Sequence, residues 1–175
     1  MDLLLAVIAD FAIAFVVAFC WGILFGAPKN ILVVAGLLGG MGHCIRFILL
    51  QLGFQLIGST LAGSVLIGLV GIWTAHRVHN PPVVFTMPAC ITMIPGMYAY
   101  RTMLAGIKLT DWNTVAAEGE GLLNTMMHNL MLTMSLLFTL AIGICIAALL
   151  FRKSTVRDIS LSNTLKRLGH ITKKQ

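Results

Sequence analysis

The stretch "MPACITMIPGMYAYR", residues 87–101, is apolar and twice interrupted by proline. Pro88 and Pro95 stand seven residues apart, Gly96 follows the second, and the run closes on Tyr98, Tyr100 and Arg101. If the stretch is helical, Pro88 cannot donate to the carbonyl of Val84, nor Pro95 to that of Ile91. In water such carbonyls are solvated. In lipid they must find a partner or line a cavity, because hydrocarbon offers no donor. The solvent around this stretch therefore decides what it is for.

Composition settles the solvent. Hydrophobic residues make up 58% of the 175 and charged residues 10%, and the mean hydropathy is +0.94. Soluble domains carry about a quarter charged residues. The apolar residues fall in runs of about 20, enough to cross a hydrocarbon core about 30 Å thick. The expected fold is an all-α, polytopic integral membrane protein with about five transmembrane helices, one of them broken by proline and glycine. The formal charge of +6 comes almost entirely from the C-terminal tail, so it is not a nucleic-acid footprint. Nor is the first run a cleavable signal: it opens on Asp2 in place of a basic residue and is longer than an h-region.

Five hydrophobic segments are expected. They run from Leu3 to Gly26, Ile31 to Leu50, Phe54 to Ala75, Val83 to Leu104 and Leu122 to Phe151. The second is poorer, interrupted by "GGMGHCIR" (39–46), and would leave four spans if it were re-entrant. The third and fourth are separated by "HRVHNPP", and the fourth and fifth by a polar connector, "KLTDWNTVAAEGEG" (108–121). The fifth is long enough for part of it to project from the bilayer or lie along its surface. Residues 1–151 thus form a transmembrane domain and 152–175 a basic tail. Seven lysines and arginines in the tail against Asp158 place the C-terminus in the cytoplasm. With five spans, nine basic residues fall inside and three, Arg46, Arg101 and Lys108, outside. Val156, Ile159, Leu165 and Leu168 fit either an amphipathic helix on anionic lipid or a solvated tail.

Small residues mark close helix contacts. Ser59 and Gly63, and Ser64 and Gly68, are four apart, and Gly36, Gly39, Gly40 and Gly42 crowd the second segment. In lipid such faces let backbones approach, within a chain or between chains. Cys20, Cys44, Cys90 and Cys145 lack metal-like spacing and read as small buried hydrophobes. No metal site is expected, His76 and His79 being a weak pair at best. No cofactor motif or enzymatic constellation occurs: there is no Walker loop, G-x-G-x-x-G, G-x-S-x-G or H-E-x-x-H.

The chemistry-bearing residues are few. The backbone around Pro88, Pro95 and Gly96 reads either as the wall of a substrate site, since discontinuous helices often build one, or as a proline kink closed by neighbouring groups. A half-helix starting near Pro95 would offer its N–H groups to a carboxylate. Ile94 would be a poor N-cap, a place that a ligand can take. Tyr100 and Arg101 follow on the same segment. Arg101 or Arg46 can hold an anion with a fork of donors, or snorkel to the interface. Asp10 lies within the first span, where an acid carries protons, pairs with an arginine or meets a neighbour's hydroxyl. His43, three residues before Arg46, is either a proton carrier or an interfacial anchor. Asn124, His128 and Asn129 form a polar face in the fifth segment.

"GGMGHCIRFILL" (39–50) and "HNPPVVFTMPACITMIPGMYAYRTM" (79–103) resemble the C-terminal half of the threonine/serine exporter family. The chain is most similar to the small, separately encoded subunit of split members, some of which export succinate. The family's G-x-x-G-W-x-x-R-like stretch maps to Gly39, Gly42, His43 and Arg46, with His43 where the family has an aromatic. Its proline–glycine element maps to Pro88, Pro95 and Gly96, followed by Tyr100 and Arg101. The resemblance covers roughly residues 5 to 150. It implies a secondary exporter of small carboxylate metabolites, threonine, serine or a dicarboxylate, in a bacterial inner membrane. It also implies a larger partner subunit supplying the other half, which an odd number of spans suits. Self-assembly stays open. The rival readings are a non-transporting assembly subunit and a passive channel.

Overall fold

The computed structural model describes residues 3–78 and 80–150 of the chain. The basic tail, with its expected amphipathic helix, and His79 lie outside the described residues. Six helices follow in order: α1 (Leu3–Leu24), α2 (Lys29–Gln51), α3 (Leu56–Val78), α4 (Val83–Ile91), α5 (Gly96–Lys108) and α6 (Trp112–Leu150). There is no strand among the described residues. Helices α1, α2, α3 and α6 are each long and apolar enough to cross a membrane. Helices α4 and α5 are bent by 57° and make a fifth span when taken as one broken helix.

The first two helices stop where glycine permits a left-handed residue. Gly26 (φ 68°) and Gly53 (φ 86°) follow α1 and α2. At each, two backbone N–H groups fold back onto the last turn: Gly26 to Ile23 and Ala27 to Gly22, then Gly53 to Leu50 and Phe54 to Leu49. This is the Schellman closure that satisfies the carbonyls at a helix end.

Packing rests on small residues. The only buried residues of α1 are Ala14, Ala18 and Gly22, spaced four apart on one face. They meet α2 so closely that a Cβ on Gly39 would lie 2.5 Å from the Ala18 methyl, and Phe15 and Phe11 cover Gly36 and Gly40. On α3, Gly63 and Ile67 lie against Gly42 of α2, and Gly71 meets Thr86 of α4. The small-residue face of α3 is therefore consumed within the chain, not left as a surface for a partner, because α2, α4 and α6 all approach it. Ile31, Ala35, Leu38, Ile67, Phe85, Ala89 and Met93 form the core at this meeting point.

Helix α6 packs along α3 in parallel, Gly143 beside Ser64 and Ala147 beside Gly68. In that register Leu56, the start of α3, is level with Ser135. Helix α6 has 39 residues, about 58 Å at 1.5 Å per residue, so its part from Trp112 to Met134 runs past the end of α3. Helix α5 packs on α6.

The second segment is a span as expected, an unbroken 23-residue helix, because the glycines that weaken it alone bury against α1 and α3; the re-entrant alternative passes to the α4–α5 pair. Three other sequence expectations are corrected. The connector at 108–121 is mostly helix: Asp111 accepts from the N–H and hydroxyl of Thr114 (3.3 and 2.6 Å), the capping pattern that starts α6 ten residues early. Pro88 does not break the chain but sits buried inside α4, and the single break is at residues 92–95. Of the cysteines, Cys90 is buried and Cys44 half-buried, whereas Cys20 and Cys145 are exposed, on faces that a membrane would cover.

Candidate functional site at the helix break

The antiparallel pairing of α1 and α2 has a consequence beyond packing. With Ala18 opposite Gly39 and Phe11 beside Gly40, the next turn of each helix brings Asp10 against His43. Nδ1 of His43 lies 2.8 Å from Oδ2 of Asp10. At that separation the two side chains are hydrogen-bonded, an imidazole nitrogen to a carboxyl oxygen. Their side chains are 18% (Asp10) and 27% (His43) exposed, sheltered yet reachable. With Nδ1 engaged by Asp10, Nε2 is the ring nitrogen left for a further partner. The two residues singled out separately as proton carriers are one pair.

One turn along α2, Arg46 points at the broken helix. Its Nη1 donates to the backbone carbonyl of Met93 at 3.2 Å, the second residue of the break. The break has a defined form. The N–H groups of Met93 and Ile94 return to the carbonyls of Cys90 and Ile91, tightening the end of α4. The Ile91 carbonyl, which Pro95 cannot reach, is thus satisfied locally by Ile94. Pro95 (φ −77°, ψ 58°) then turns the chain, and Gly96 N–H closes on the Ile94 carbonyl at 2.8 Å, the geometry of an inverse γ-turn. Helix α5 begins at Gly96, so its N-cap is Pro95, one residue later than expected, and no side chain caps it. A Cβ on Gly96 would meet nothing within 4 Å; the space beside this helix start is open.

Depth links these features. Asp10 is seven residues from Leu3 along α1, His43 eight from Gln51, and Gly63, covered by the Met93 side chain, seven from Leu56. All lie about 10–12 Å inside the same end of the bundle. Arg46 also lies within electrostatic reach of Asp10 and of Tyr98. The arrangement can hold a proton, present a guanidinium fork and offer the start of a helix within one small volume.

The remaining sequence candidates stand apart. Tyr100 is 62% exposed and Arg101 is exposed on α5. Tyr98, the neighbour of Arg46, was not among the expected site residues; the signal for it is helical phase counted from Pro95. The polar face expected in α6 divides: Asn129 is buried, donating to Thr125, while Asn124 and His128 point outward. Among the described residues no group of histidine, cysteine and acidic side chains could hold a metal.

Fold and site together define a polytopic, all-helical membrane protein with a discontinuous helix beside an acid–imidazole pair. Residues 10–150 match the family model described as Threonine/Serine exporter, ThrE. The chain belongs to that family and is an exporter-type transporter protein. No solved structure matches it.

Proposed function

We propose that the chain is one subunit of a secondary exporter that moves small carboxylate metabolites, threonine, serine or a dicarboxylate such as succinate, across a bacterial inner membrane. It works with a larger partner subunit that supplies the other half of the transport domain, and its C-terminus is cytoplasmic. The observation that carries the reading is the meeting of Asp10–His43, Arg46 and the 92–95 break at one depth of the bundle. Arg46 and the uncapped start of α5 suit a carboxylate: a guanidinium fork supplies directed donors, and a helix N-terminus supplies N–H groups and partial positive charge. The Asp10–His43 pair suits coupling to protons, since one added proton changes its charge. Pro95 and Gly96 shape the wall, with Pro88 buried behind it in α4.

Efflux of labelled threonine, serine and succinate from cells expressing this chain, with and without the larger subunit, tests the proposal. Efflux of one substrate that needs both chains and collapses with the proton gradient is the expected result. Stable chains in the membrane with no efflux of any of the three would favour an assembly subunit. Efflux indifferent to the gradient would indicate a channel.

A further inference from the structure

The broken helix joins two bodies. Helix α4 packs on α1, α2 and α3, whereas α5 packs on α6, whose part beyond Met134 is itself packed along α3. The 92–95 break is therefore one of two covalent links between a glycine-packed bundle and the overhanging hairpin of α5 and residues 112–134, the other being α6 itself. Among the described residues, one side-chain hydrogen bond reaches that joint from another helix, Arg46 Nη1 to the Met93 carbonyl.

We propose that Arg46 is a positioning residue that latches this joint, and that a substrate carboxylate releases the latch by taking the guanidinium from the Met93 carbonyl. The inference rests on the carboxylate-exporter reading and adds its gating step. A guanidinium binds a carboxylate with two charge-assisted hydrogen bonds, and a neutral carbonyl with weaker ones. The exchange favours the ligand wherever one can enter, and the open space beside Gly96 provides the room. With the Met93 carbonyl freed, the joint is held by its γ-turn and by the Met93 side chain over Gly63. Binding energy spent on the exchange is available to move α5 and the overhanging 112–134 part of α6 relative to the bundle, a relative motion of the kind that alternating access requires.

A native thiol reports on the joint. Cys90 is 8% exposed in the last turn of α4, within the core that includes Met93, and a buried thiol reacts slowly. In full-length protein with Cys20, Cys44 and Cys145 replaced by alanine, the rate of Cys90 labelling by a small methanethiosulfonate in native membranes reads opening. Either threonine or succinate is expected to raise that rate by about tenfold. Arg46→Ala is expected to raise it similarly without ligand and to abolish the response. Arg46→Lys, which keeps the charge and a donor, is expected to fall between, and serves for the comparison if the alanine variant fails to insert. An Arg46 variant that labels no faster than its parent overturns the latch, while the exporter reading stands or falls separately on efflux. A variant that opens, with neither acid affecting the parent although one is exported, overturns the exchange.

Discussion

Glycine serves two different ends in the two halves of this chain. In α1–α3 a Cβ at Gly36, Gly39, Gly40, Gly42 or Gly63 would run into a neighbouring side chain at 2.9 Å or less. In α5 and the 112–134 part of α6 the same addition at Gly96 or Gly121 meets nothing within 4 Å, and at Gly106 only the Met126 sulfur at 3.7 Å, whereas Gly143, where α6 runs along α3, is pressed against Ser64. The bundle, and α6 where it lies along α3, uses glycine to bring backbones together; the overhanging hairpin has glycine where other helices stay at ordinary contact distance or beyond. The hairpin instead exposes large side chains, Met97, Met103, Ile107, Met127, Met131 and Met134 among them. The contrast separates a close-packed body from an overhanging hairpin, with the proposed site at the boundary between them.

The contrast can be broken by substitution. Gly39→Leu should be the most damaging change: with the Ala18 methyl at 2.5 Å and backbone atoms of Ala14 and Ala89 at 3.5 Å, the bundle has no room to shift. A loss of about 3 kcal/mol is expected, visible as a lower melting point or loss of folded protein in detergent. A tolerated leucine there would refute the close-packed description of α1–α3. Asp10→Asn should leave folding near normal but lower gradient-driven efflux about tenfold or more, because the amide cannot exchange a proton with His43. Equal efflux would remove the pair from coupling.

Smaller effects sharpen the second region. Asp111→Ala removes the cap of α6 and should cost about 1 kcal/mol, read by faster hydrogen exchange in the first turn near Thr114. Gly121→Ala, in open space on a helix, should stabilise by about 0.5–1 kcal/mol. A destabilised Gly121→Ala protein would mean that another surface covers this face in the assembled transporter.

How much of this was legible in the sequence depends on whether the cause is local. The membrane class, the runs that became α1, α2 and α3, and the interruption before Pro95 follow from hydropathy and from proline's missing donor. The start of α6 was masked because "EGEG" lowers hydropathy without preventing a helix, and Asp111, a capping residue, was read as connector. Pro88 looked equivalent to Pro95, yet the structure keeps it inside α4 and turns the chain only at Pro95. The pairing of Asp10 with His43 is 33 residues apart and depends on the antiparallel register of α1 and α2, which periodicity within either helix does not encode. Tyr98 and Tyr100 differ by about 200° of helical rotation. Their roles separate only once Pro95 is fixed as the N-cap.

The two arginines of the original expectation give the most direct test of the account. Arg46 is half-buried on the break, and Arg101 is exposed on the hairpin. Efflux should be compared for Arg46→Ala and Arg101→Ala at matched levels of membrane-inserted complex. Loss of a charge-assisted contact at the site should lower efflux about tenfold to a hundredfold for Arg46→Ala, with Arg101→Ala staying within about twofold. Full efflux from Arg46→Ala, or its loss only in Arg101→Ala, would contradict the placement of the site at the junction of α2 and the broken helix.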